Sequence, residues 1–220
     1  MYKKILLICV GSILAFNITY AKEPKNLEVT KALLIKYHDT GEYQKDQAII
    51  IDKALQYLKT RLESRQKSQK SKFAIVLDID ETALSNYPDM RNMNFGGTLP
   101  QIMAAEANGT DPAIAPTLKL YRYAKANNVA VFFITGRTEP YQAITEKNLT
   151  NAGYSHWDGL SLKEENYKEK SIAPYKTHAR SLIEQQGYDI VLNIGDQQSD
   201  LTGGHADKGF KLPNPYYFIP

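Results

Sequence analysis

The stretch Phe73-Ala74-Ile75-Val76-Leu77-Asp78-Ile79-Asp80-Glu81-Thr82 decides the fold. Its first five residues form a continuous apolar run, the pattern of a strand buried on both faces in a parallel sheet. Two carboxylates, Asp78 and Asp80, leave that strand at i and i+2, which is costly unless something compensates them. In open parallel sheets ligands bind beyond the carboxyl ends of the strands, so the residues just past each strand carry the functional information.

Further along, Val129–Ile134 and Ile190–Ile194 are two more short apolar runs. Helical spacing occupies Thr117–Lys125, Pro140–Asn151 and His178–Gln186 between and around them. Strands alternating with helices of this length predict an α/β fold, a doubly wound, Rossmann-like parallel sheet flanked by helices. On the amino side, Ala32, Leu33, Ile35, Ala48, Ile51, Leu55, Leu58 and Leu62 predict a helical segment over 30–70, divided at Gly41, with a polar linker at Ser64–Lys72. The Pro- and Gly-bearing stretch Asn86–Pro116 interrupts the alternation just after the first strand, where a small inserted cap or flap would overhang a site.

The second run is followed by Thr135-Gly136-Arg137, a hydroxyl, a flexible amide and a guanidinium; the third by Gly195-Asp196-Gln197-Gln198-Ser199-Asp200. Lys176 stands between them, at the start of a helical pattern. If Asp78 and Asp196 approached within about 4 Å, their repulsion would be about 4 kcal/mol at an effective dielectric of about 20. A divalent cation relieves that, and oxygen ligands without Cys or clustered His favour Mg²⁺ over Zn²⁺. Acids, Mg²⁺, a lysine and donors together suit a phosphate monoester.

Taken together, these motifs resemble the haloacid dehalogenase (HAD) superfamily, within the subfamily IIIB acid phosphatases that include plant vegetative storage proteins. DIDET (78–82), TGR (135–137), Lys176 and GDQQSD (195–200) occur in the family's order, and DIDETALSN (78–86), GDQQSDL and the terminal KLPNPYY (211–217) carry the subfamily likeness. The resemblance covers about Thr30 to Pro220. It implies a HAD-like fold and a phosphoric monoester hydrolase. Asp78 would be the nucleophile, forming an aspartyl-phosphate; Asp80 would be the general acid and then base, its carbonyl ligating one Mg²⁺ per site. Asp78, Asp196 and Asp200 would supply carboxylates to the metal, Asp200 either directly or by holding its waters. Thr135, Gly136 and Arg137 would bind phosphoryl oxygens, and Lys176 would neutralise charge.

Plainer readings stand beside these. Asp78 and Asp80 alone are also a metal-binding DxD or strand-end caps, and Lys176 alone is a surface lysine. Arg137 divides evenly between substrate contact and structural salt bridge; Thr138, with Pro140 just beyond it, reads as a helix cap. Glu81 is expected to face solvent, and Thr82 to fix the loop by hydrogen bonding. His38, His156, His178 and His205 read as surface or core residues, and Trp157 as packing. Asn86, Tyr87, Phe95 and Gly96-Gly97 would touch the leaving group; the rings would fill the flap's own core or stack on a nucleobase, the only basis for a nucleotide substrate. A phosphotransferase and a catalytically idle storage or binding protein are the alternatives, the latter opposed by the presence of Asp78.

Composition sets the outer bounds. The 220 residues, 43% hydrophobic and 23% charged, exclude a disordered tail, a fibre and a multi-span membrane protein. A formal charge of +3, with no dominant basic stripe, excludes a polymer nucleic acid as partner. Residues 1–21 carry Lys3-Lys4, an apolar run Ile5–Phe16 and a Thr19-Tyr20-Ala21 end, the layout of a secretory signal peptide rather than a stable membrane anchor. Export to a periplasm or the medium is therefore expected. Cleavage removes the sole cysteine, Cys9, and leaves residues 22–220 as one HAD-like domain that must be stable without a disulfide. The oligomeric state is left open.

Overall fold

The computed structural model describes residues 21–65 and 72–220. The expected signal peptide, apart from Ala21, and the middle of the expected linker lie outside the described residues. Two helices come first, α1 (Leu27–Asp39) and α2 (Glu42–Arg65), parted at Gly41, whose φ of +79° suits a residue without a Cβ. Asn26 caps α1 by accepting from the Glu28 and Val29 amides at 2.9 and 3.4 Å. On α2, Ile51, Ala54, Leu55 and Leu58 fall at i, i+3, i+4 and i+7, and this stripe is buried against the sheet.

That sheet is wholly parallel, in the order β3-β2-β1-β4-β5. Its strands are β1 (Lys72–Leu77), β2 (Ala130–Thr138), β3 (Gly159–Lys163), β4 (Tyr188–Gly195) and β5 (Gly209–Lys211). The period of two sorts β1 onto two cores: Phe73, Ile75 and Leu77 face α2 and α5 (Ala115–Ala126), whereas Ala74 and Val76 face α7 (Ala173–Gln185). Helices on both faces make the doubly wound α/β sheet expected from the apolar runs. Two strands had no such run. The five residues of β3 are all half-buried at one edge, and β5 has three residues at the other.

Two expectations about boundaries change. β2 continues through Thr138, so Thr135-Gly136-Arg137 is the strand's own last turn of pleat rather than a loop beyond it. α7 begins at Ala173, with Pro174 in its first turn, earlier than the helical spacing from His178 predicts; Lys176 lies in that first turn, at the start of the helix as expected. The remaining helices are α3 (Tyr87–Asn92), α4 (Leu99–Glu106), α6 (Gln142–Asn151) and α8 (Gln198–Leu201).

Over 86–116, α3 and α4 leave and rejoin the sheet through a narrow neck. The Ser85 amide donates to the Pro112 carbonyl, and the Ile114 amide to the Ala83 carbonyl, both at 2.9 Å. Tyr87 and Met90 of α3 pack with Tyr43 of α2 and Tyr216 near the carboxyl end. Among the described residues, no helix is long and apolar enough to cross a membrane.

Phe133 of β2 is fully buried, its ring against those of Tyr121, Tyr154 and Trp157. Phe133→Ala is expected to cost about 3–5 kcal/mol in a urea melt. A loss below about 1 kcal/mol would show that this core is not tightly packed.

Candidate active site

The carboxyl ends of β1, β2 and β4 and the first turns of α7 meet at a cleft of about 580 Å³. Asp78 extends β1, its amide donating to the Ile194 carbonyl of β4 at 2.9 Å. Lys176 rises from α7 and donates from Nζ to Asp78 Oδ1 at 2.6 Å and to Asp200 Oδ1. Asp196 leaves β4; its Oδ2 accepts from Gln197 Nε2 at 2.6 Å and Asn214 Nδ2 at 2.7 Å. Asp200 accepts from the Gln197 amide at 2.8 Å through its other oxygen.

Asp78, Asp196 and Asp200 are all buried, and one carboxylate oxygen from each lies within 4.8 Å of the others. Three acids thus surround one ammonium. Burial pushes the Asp78 carboxyl well above the usual range, and the other acids add to this against Lys176 alone. Burial, then Asp200, pushes Asp196 up to about 6. Lys176 itself moves upward: burial opposes its charge, but Asp78 and Asp200 outweigh it. Hard oxygen donors with an excess of negative charge, out of water, fit a divalent cation.

Backbone geometry permits this crowding. A Cβ on Gly195 would lie 2.3 Å from the Asp200 side chain, so only glycine lets β4 pass so close. Arg180, fully buried on α7, donates to the Asp200 and Gly204 carbonyls at 2.7 and 2.8 Å, and Asn193 also holds the Asp200 carbonyl.

Asp80 occupies the opposite side of the cleft. Arg137 grips it through Nε and Nη2, the shortest contact being 2.7 Å, and Asn86 Nδ2 donates to it at 3.0 Å. Burial raises the Asp80 pKa, but Arg137 and Asn86 more than reverse this and hold the carboxyl below the usual range. Arg137 Nη2 also reaches Asp111 Oδ2 at 3.0 Å, while its buried Nη1 has no partner.

The structure therefore gathers Asp78, Asp80, Gly136, Arg137, Lys176, Asp196 and Asp200 around one cleft. Thr135 stands apart: it is fully buried, and its hydroxyl accepts from the Arg137 amide at 3.1 Å. Arg137 is a buried salt bridge that also lines the cleft. Thr82 reaches Asp196 across 3.4 Å. His205 pairs with Glu184 on the surface, and Trp157 packs on the core. Tyr87 and Phe95 pack on Tyr216 instead of lining the cleft, which removes the basis for expecting them to stack on a nucleobase. Glu81 contradicts its expected exposure. A φ of +54° turns it inward, where Tyr43 Oη and the Asn86 amide each donate to it at 2.6 Å, while burial still pushes its carboxyl up to about 8.

Several contributors carried no sequence signal as ligands or partners. Asp111 belongs to the inserted stretch, and Arg180 reads as an ordinary helical arginine. Asn214 lies inside KLPNPYY, which carried the family resemblance without singling out this residue.

A parallel sheet with acids after its first and fourth strands, and a lysine reaching them from the preceding helix, defines a HAD-type fold. The family model for the HAD superfamily, subfamily IIIB (acid phosphatase), matches residues 14–220. Acid phosphatase 1 of Solanum lycopersicum is 38% identical over 148 residues, 66% of this chain and 58% of that protein. The stem 28 kDa glycoprotein of Glycine max is 36% identical over 201 residues, 88% and 74% of the two chains. The class C acid phosphatase of Bacillus anthracis shares the fold, with a TM-score of 0.71 at 23% identity over 87% of each chain. The chain belongs to the subfamily IIIB acid phosphatase family of the HAD superfamily.

Two measurements test this geometry. Gly195→Ala is expected to displace Asp200, costing about 1–3 kcal/mol of stability and weakening divalent-cation binding in calorimetry; unchanged binding would contradict the crowding. Asp196 has a raised folded pKa, so its stabilising contribution is full below 3.8 and lost as pH rises through about 6. A divalent cation should therefore raise Tm more at pH 7 than at pH 5, with the difference shrinking in Asp196→Asn. Equal shifts at both pH values would count against the site.

Proposed function

We propose that this protein is an exported, Mg²⁺-dependent phosphomonoesterase working through a phosphoryl group carried on Asp78. The observation that carries the reading is the position of the Asp78 carboxylate, at the cleft and within hydrogen-bond reach of a buried lysine. Residues 1–21 form the signal peptide, residues 22–220 the catalytic domain, and 86–116 its cap.

One Asp78 oxygen attacks phosphorus as the bond to the ester oxygen breaks. The departing oxygen takes a proton from Asp80. Water then gives its proton to Asp80 and attacks phosphorus, releasing phosphate and freeing Asp78. Splitting one displacement into two in this way lowers each barrier. Lys176 offsets charge on Asp78 and on the phosphoryl group, and the Gly136 amide with Arg137 Nη1 supplies donors to the phosphoryl oxygens. Thr135, buried behind the cleft, orders the Arg137 amide through its hydroxyl oxygen.

Mg²⁺ would be held by Asp78, Asp196 and the Asp80 carbonyl, and when bound it supplies charge neutralisation to the phosphoryl oxygens. Asp200, whose two oxygens already accept from Lys176 and the Gln197 amide, serves mainly to orient these groups. In its resting state Asp80 is the ionised partner of Arg137, suited to the second step. The first step needs it protonated, which accords with an acidic working range.

Asp78→Asn is expected to lower turnover of phosphate esters by at least about 10⁴-fold with Tm nearly unchanged, since the nucleophile is lost. Near-normal turnover in a folded Asp78→Asn protein would exclude the covalent route. A panel of aryl, sugar and nucleoside phosphates, run with chelator and then with Mg²⁺ restored, decides the metal and the substrate class; full activity in chelator would remove Mg²⁺ from the mechanism.

A further inference from the structure

Glu81 is the one acid of DIDET that points away from the cleft. It has no exposed surface, and it lies behind a site already overloaded with negative charge. A buried carboxylate there is unfavourable unless both oxygens are used. Both are: Oε2 accepts from Tyr43 Oη and Oε1 from the Asn86 amide, each at 2.6 Å.

Asn86 is the connecting piece. Its backbone is clamped by Glu81, while its side-chain Nδ2 donates to Asp80 Oδ1 at 3.0 Å. It precedes α3 as N-cap, yet its side chain makes no capping bond, and its buried Oδ1 has no partner. Its side-chain amide is thus committed to Asp80 rather than to α3. At the far end, the Tyr43 ring is wedged edge-on against Tyr37 and Tyr216, with centroids 5.6 and 5.3 Å away, so its hydroxyl is fixed in direction.

We infer that Glu81 is a positioning residue for Asp80, the second link of a strut Tyr43–Glu81–Asn86–Asp80 that runs from the amino-terminal helix α2 into the cleft. Through it α2 sets the direction from which Asp80 reaches the leaving oxygen. The inference rests on the proton-donor role given to Asp80 above. Arg137 Nη2 donates to the same Asp80 oxygen as Asn86 Nδ2, at 2.7 Å, and the strut keeps the carboxyl from swinging wholly towards the guanidinium. An acid moved by about 1 Å from its working geometry loses up to about 100-fold in rate.

The test compares an alkyl phosphate, whose leaving oxygen needs a proton, with 4-nitrophenyl phosphate, whose leaving oxygen does not. The kcat/KM for each reports the step that forms the phosphoenzyme. Glu81→Ala is expected to lower kcat/KM for the alkyl ester about 10- to 100-fold while changing that for the nitrophenyl ester less than about 3-fold. Glu81→Gln should largely restore the alkyl rate, because its oxygen still accepts from the Asn86 amide and its nitrogen donates to Tyr43 Oη. Tyr43→Phe, which keeps the ring and removes only the hydroxyl, should show a smaller loss with the same preference, and it carries the test if Glu81→Ala does not fold. Equal losses on both esters, or wild-type rates on both in folded Tyr43→Phe and Glu81→Ala, would overturn the strut. Absence of turnover of either ester by the wild type would instead sink the phosphatase reading, and the strut with it.

Discussion

A single ammonium among three buried carboxylates governs the rest of this structure. Lys176 touches Asp78 and Asp200, and Asp196 completes the acid group within 4.8 Å. Taking charges out of water is expensive, and removing the ammonium would leave the acids uncompensated. Everything nearby is arranged to make it tolerable. Gln197 and Asn214 donate to Asp196, Arg180 and Asn193 pin the Asp200 backbone, and a glycine lets β4 pass beneath. The cluster still carries more negative than positive charge, which is the electrostatic reason for expecting a cation beside it.

A second charge group is built on the other side of the cleft, around a guanidinium in place of the ammonium. Arg137 faces Asp80 and Asp111, with Glu106 of α4 near enough to add to its field. Burial, then the neighbouring Asp80, pushes Glu106 up to about 7 against the pull of Arg137. Two carboxylates of one short loop, Asp78 and Asp80, are therefore driven in opposite directions, one upward and one downward. Such a split is what distinct roles for two like groups require. Distant parts of the chain cooperate in holding that loop: Tyr43 comes from the amino-terminal helix α2, Asn214 and Tyr216 from near the carboxyl end, and Asp111 from the inserted stretch.

Much of this was legible in the sequence because burial writes itself as hydrophobic pattern. The central strands β1, β2 and β4 lie under helices on both faces, so each is a continuous apolar run. The edge strands escaped for the same reason: β3 is half-buried throughout and β5 buries only Phe210. Site residues at strand ends were readable because parallel sheets present ligands there. Glu81 defies its expected exposure because nothing in a sequence announces a φ of +54°, and a glutamate a few positions beyond a strand end is ordinarily solvated. Its partner Tyr43 lies 38 residues away, a contact only the fold supplies. Likewise TGR has the composition of a turn, though pairing with β3 carries β2 through Thr138.

At the heart of the proposed mechanism, phosphorus would be held for a time on the Asp78 carboxylate. Enzyme mixed with an aryl phosphate, quenched within the first turnovers and reduced with borohydride, reports that adduct as a mass change on one peptide. Reduction of Asp78 to homoserine is expected, with Asp80, Asp196 and Asp200 unmodified. An unmodified Asp78 in enzyme that is turning over, or the modification on another residue, would contradict the covalent mechanism.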